Sequence, residues 1–147
     1  MCLLCALKLV FLTTLCYRNC GYGNTGYEMK FYNRKNELNK LNQLDKHARK
    51  EGIMTVLTGR RRVGKTVLAL HHAKGKRSLY LFIGRKEEHL LCQEIIEEIK
   101  KHFQIPTVGE IKDFRDVFSL ILELSQKEPL IVIFDEFQEF FNVNPSV

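Results

Sequence analysis

The residues of this chain best suited to chemistry form the run Gly59-Arg60-Arg61-Arg62-Val63-Gly64-Lys65-Thr66, a G-x4-G-K-T pattern. Each fixed position has a physical job in holding a polyphosphate. The glycines admit backbone conformations closed to other residues, which lets successive N–H groups face phosphate oxygens. A helix that starts at the lysine adds its orphan amides and the positive end of its dipole. Lys65 is expected to reach the terminal phosphates, and the Thr66 hydroxyl to bind Mg²⁺. Arg60, Arg61 and Arg62 then add positive potential around a triphosphate. Read alone, the same residues are a basic turn between a strand and a helix.

A second constellation lies seventy residues after Lys65, where the apolar run Ile131–Phe134 delivers Asp135 and Glu136. Open α/β sheets bind ligands at the carboxyl ends of their strands, and two adjacent acids there suit metal and acid–base work. Asp135 is the expected partner of Mg²⁺, through a bound water. Glu136 is the expected group to orient and deprotonate an attacking water.

These groups need a scaffold, and the pattern from Met29 onward supplies one. Leu38, Leu41 and Leu44 fall on one helical stripe that stops at Gly52. Residues 53–59 read as a buried strand, 63–74 as a helix and 78–84 as a second strand. Residues 85–103 form an amphipathic helix using Leu91, Ile95, Ile99 and Phe103. A loop over 104–112, marked by Pro106 and Gly109, leads to a helix over 113–128 with Asp113 as its N-cap. Pro129 breaks that helix, and 130–134 is a third strand, continuously apolar as strands covered on both faces are. Phe137, Phe140 and Phe141 fall at helical spacing and read as core. Strands alternating with helices imply parallel βαβ units and an α/β fold.

Composition agrees with one soluble domain. The chain has 147 residues, 45% hydrophobic and 27% charged, with a net charge of +6, close to globular averages. No apolar run reaches the ~18 residues of a membrane-spanning helix. The five histidines (47, 71, 72, 89 and 102) sit on expected helices without ligand spacing, and Cys92 reads as core rather than nucleophile. The other four cysteines (2, 5, 16 and 20) crowd the first twenty residues. Their spacing is weak as a zinc site, because no turn residues separate the pairs. As a secretory signal the segment lacks a charged start, and Lys8 interrupts it. Residues 1–28 therefore read as an extension unrelated to the domain, with Met29 as a working start, and a cytoplasmic location is expected.

Taken together, GRRRVGKT, LIVIFDEFQ and the leading FYNRKNEL make residues 29–141 resemble the ATPases grouped as archaeal-type or STAND ATPases. These belong to the AAA+-like branch of the P-loop NTPases. The resemblance implies a three-layer α/β fold with a parallel sheet, ATP and Mg²⁺ as cofactors, and hydrolysis that drives a conformational switch. It also implies that a leading motif, apolar-apolar-Gly-Arg-x-x-Glu, helps hold the base and phosphates. Phe31, Tyr32, Arg34 and Glu37 match it, and Asn33 stands where the glycine would be. Asn is the next most tolerant residue of positive φ, so the turn survives. Without the resemblance, Arg34 and Glu37 are a surface pair on a helix.

That branch orders its sheet 5-1-4-3-2, with a fourth strand between the two that carry the chemistry. With residues 1–28 set aside, nothing supplies it, so residues 29–147 read as the front part of an ATPase truncated after the acidic strand. The transition-state arginine and the C-terminal domains would then be missing. The expectation for this chain alone is Mg-ATP binding with weak or no turnover, and possible self-association. Two other classes compete: a P-loop small-molecule kinase, and a non-catalytic nucleotide- or DNA-binding module using clusters such as Lys74, Lys76 and Arg77.

Overall fold

Among the described residues, four short strands, each followed by helix, build one all-parallel sheet with helices on both of its faces. The computed structural model describes residues 7–12, 34–60, 62–105, 111 and 113–143. In chain order the elements are β1 (Leu7–Leu12), α1 (Lys35–Ala48), β2 (Ile53–Leu57), α2 (Lys65–Ala73) and β3 (Ser78–Phe82). There follow α3 (Glu88–Phe103), α4 (Phe114–Lys127), β4 (Leu130–Asp135), a 3₁₀ turn (Phe137–Glu139) and α5 (Phe140–Val143). Parallel neighbours cannot be joined by a tight turn, which is why every crossover carries helix. The sheet order is β2-β1-β4-β3.

The period-2 alternation of the strands sorts their side chains between two cores. Leu79, Leu81, Leu130, Val132, Phe134 and Phe11 face α3 and α4, meeting Leu91, Ile95, Ile99, Val117, Ile121 and Leu124. Val10, Leu12, Ile131 and Ile133 face the other way, onto Ala69 and Ala73 of α2. Strand β4 is buried at every position, as its unbroken apolar run requires. Asp113 caps α4 as expected, its side chain accepting from the amides of Arg115 and Asp116. Of the three late phenylalanines, Phe140 is buried and Phe137 packs on the α3/α4 core, but Phe141 is 63% exposed, which corrects its assignment as core.

The main correction concerns the start of the chain. Residues 1–28 were expected to stand apart from the domain, leaving the sheet without its central strand. Instead Leu7–Leu12 fills that position, with Lys8–Leu12 registered against Ile53–Leu57 of β2 and Leu7–Leu12 against Leu130–Asp135 of β4. The physical reason is the fit of LKLVFL to a slot closed on both sides. Val10, Phe11 and Leu12 are all buried there. Lys8, which read as an interruption, is buried at the lower end of the strand and is fully engaged. Its Nζ donates to the Leu41 carbonyl (2.9 Å) and to Asp45 Oδ1 (2.6 Å), and lies 3.2 Å from His72 Nε2. Asp45 also pairs with Lys76 at 2.7 Å and lies 3.1 Å from His72.

A buried cation survives only when paired and hydrogen-bonded, and this network ties β1 to α1 and α2. Burial lowers the Lys8 pKa despite Asp45. Burial, reinforced by the Lys8 charge, lowers that of His72. At Asp45 burial opposes the charged form, but hydrogen bonds from Lys76 and Lys8 outweigh it and hold the carboxyl below its usual range.

Candidate functional site

Among the described residues of the loop between β2 and α2, three have positive φ and set its shape. Gly59 has φ 151°, Gly64 has φ 76° and Arg62 has φ 62°. A side chain at Gly59 or Gly64 would be strained by the backbone alone, so the glycine types are dictated here by conformation. Arg62 adopts the left-handed region without that licence, a strain of the kind that concentrates at functional loops. Left-handed residues alternating with ordinary ones are the backbone pattern from which anion-binding nests of amides are built. Gly64 is also the N-cap of α2, so the helix's unpaired amides open onto the same loop.

Two side chains brace this loop. Lys65 is buried, and its ammonium donates to the carbonyls of Gly59 and Arg60, both at 2.8 Å. Arg34, immediately before α1, donates from Nη2 to the Val63 carbonyl, so it does meet the loop. Arg60 and Arg62 are exposed on the loop surface, and Arg61 lies outside the described residues, as do Phe31, Tyr32 and Asn33. Glu37 is exposed in the first turn of α1 and makes no hydrogen bond or ion pair to the loop among the described residues.

The second constellation meets the first. Thr66 Oγ1, in the first turn of α2, donates to Asp135 Oδ2 at 2.9 Å across a separation of 69 residues. Asp135 closes β4, and its other oxygen accepts the amide of Glu136 at 3.0 Å. Glu136 has φ 56°, in the left-handed region like Arg62 and Gln104, and is 7% exposed. Its carboxylate accepts from the Gln138 side-chain amide. The turn that follows is clamped from outside by Arg85, which pairs with Glu139 at 2.6 Å.

Chemically, the loop and the helix N-terminus behind it suit an anion, and beside them stand two hard oxygen ligands, the Thr66 hydroxyl and the Asp135 carboxylate. Their closeness fits a small divalent cation such as Mg²⁺, which takes one or two protein oxygens and completes its shell from phosphate and water. Among the described residues no group of three or more His, Cys, Asp or Glu side chains converges. The Cys92 thiol is buried and pushed up to about 11, chiefly by burial and then by the nearby Glu88, Asp113 and Asp116 charges, so it stays protonated and inert. Tyr80 and Gln138 were not singled out from the sequence. Tyr80 lies in an apolar-looking strand, and only the pairing of β3 with β4 shows that its hydroxyl reaches Asp135, at 2.8 Å.

No family model, curated protein or solved structure matches the chain. No helix among the described residues is long and apolar enough to cross a membrane.

Proposed function

We propose that the chain is a P-loop nucleotide-binding domain that takes a nucleoside triphosphate, ATP by resemblance, with Mg²⁺. The observation that carries this reading is the hydrogen bond between Thr66 and Asp135. Two motifs far apart in sequence put an ion-binding hydroxyl and a carboxylate side by side at the carboxyl end of a parallel sheet, next to an anion cradle. On this reading the amides of the 59–66 loop hold the β- and γ-phosphates. Lys65 exchanges its loop carbonyls for phosphate oxygens, and Arg34 keeps the loop in shape. Thr66 and Asp135 hold the ion, which when bound would neutralise phosphate charge.

Glu136 is the candidate base for water, and its position beside Asp135 suits hydrolysis more than transfer to a second substrate. Its engagement by Gln138 supports slow turnover, with hydrolysis coupled to a conformational change. Direct DNA binding draws less support from the basic cluster. Lys76 is paired with Asp45, and Arg77 donates to the carbonyls of Leu124 and Glu128 while stacking on Phe103.

The test is titration of the full chain with a fluorescent ATP analogue, with and without Mg²⁺, for wild type and Lys65→Ala. Saturable binding, tightened by Mg²⁺ and weakened at least about tenfold in Lys65→Ala, is expected from the loss of a charge-assisted contact. No binding in folded wild type, or equal binding in the variant, would overturn the reading. Phosphate release with ATP alone distinguishes hydrolysis from kinase chemistry, which needs an acceptor.

A further inference from the structure

We infer that Tyr80 is a positioning residue for the ion site, fixing the Asp135 carboxylate in the orientation that receives a divalent cation. The inference rests on the nucleotide reading above and deepens it.

The geometry begins with the sheet. Tyr80 registers with Ile133, and Phe82 with Asp135, so Tyr80 stands one pleat below the carboxylate on the neighbouring strand. Residues two apart share a face, which places Tyr80, Ile133 and Asp135 on the same side as α2. From there the phenol donates to Asp135 Oδ2 at 2.8 Å, the same oxygen that accepts from Thr66. An ionised carboxylate accepts about four hydrogen bonds. Thr66 Oγ1 and Tyr80 Oη take both directions at Oδ2 and Glu136 N takes one at Oδ1, which leaves the second direction of Oδ1 for an ion or its water.

The three donors are not equivalent. Thr66 belongs to the loop and helix that a phosphate would engage, and Glu136 sits on a strained turn. Tyr80 hangs from a rigid aromatic ring on a strand paired along its length to β4. It is therefore the donor whose position does not depend on the ligand. Its hydroxyl holds the carboxylate plane while Thr66 turns its lone pairs to the ion. Outer-shell partners of this kind typically change metal affinity by about 10- to 100-fold when removed.

The experiment measures nucleotide affinity of the full chain in EDTA and across a Mg²⁺ titration, for wild type and Tyr80→Phe, with thermal unfolding as the check on folding. Phenylalanine keeps the ring and removes only the donor. The expected result is a rise of about tenfold or more in the Mg²⁺ concentration for half-maximal effect, with a smaller ratio of affinities with and without Mg²⁺. Mn²⁺ titration of nucleotide-loaded protein followed by EPR should show the same weakening without relying on turnover. A purely structural role would lower thermal stability while leaving the Mg²⁺ midpoint in place. An unchanged or lowered midpoint in a variant whose wild-type parent responds to Mg²⁺ overturns this inference alone. Wild type without any Mg²⁺-linked nucleotide binding overturns the nucleotide reading, and this inference with it.

Discussion

Replacing Leu12 by alanine tests the placement of β1 most sharply, because the two views of residues 1–28 differ by several kcal/mol. Leu12 is fully buried, packed with Val10, Ile131, Ile133, Ala69 and Ala73. Truncating such a leucine costs about 2–5 kcal/mol, and the upper half applies where the cavity cannot collapse. Here collapse is opposed by parallel ladders on both sides of β1, and by alanines on α2 that are too small to lean in. A loss of about 4 kcal/mol is a large share of the 5–15 kcal/mol that holds a domain together.

With a urea m-value of about 2 kcal/mol/M, that loss moves the unfolding midpoint down by about 2 M. The assay is equilibrium urea unfolding of the full chain followed by circular dichroism, with Leu90→Ala as an exposed comparison. An appendage outside the domain would show a change within about 0.5 kcal/mol, as surface substitutions do. A Leu12→Ala midpoint no lower than that of Leu90→Ala would refute the central placement of β1.

Removing residues 1–28 should abolish the cooperative transition, since β2 and β4 would lose the strand between them; a folded, two-state 29–147 fragment would contradict this. Stability should fall as pH drops below the ordinary histidine value of 6.5. The folded state holds His72 below that value, so the unfolded chain binds the extra proton first. Urea midpoints measured from pH 7.5 to 5 check this, and His72→Gln should flatten the profile. Asp113→Ala removes the acceptor for two amides at the start of α4 and should cost about 1 kcal/mol by thermal or urea unfolding. Glu136→Gln should retain Mg-nucleotide binding while lowering any phosphate release by about 10²–10⁴-fold, the usual contribution of a general base; unchanged release would remove Glu136 from that role.

The local code of the chain was legible in its residues. Helix stripes, the Asp113 cap and the breaks at Gly and Pro depend on neighbours within a turn or two, and these elements lie within a few residues of where their patterns end. The turn chemistry of Gly59 and Gly64 was readable for the same reason, because it concerns the φ angles of those residues alone. What the sequence could not decide was partnership across distance. LKLVFL has no periodicity that distinguishes a central strand from a greasy appendage, and Lys8 looked like a fault until Leu41, Asp45 and His72 surrounded it. The meeting of Thr66 with Asp135, and of Tyr80 with the same oxygen, likewise depends on strand order and register. Those are settled by which strands close the sheet together, a global competition for burial and backbone hydrogen bonds that no single segment records.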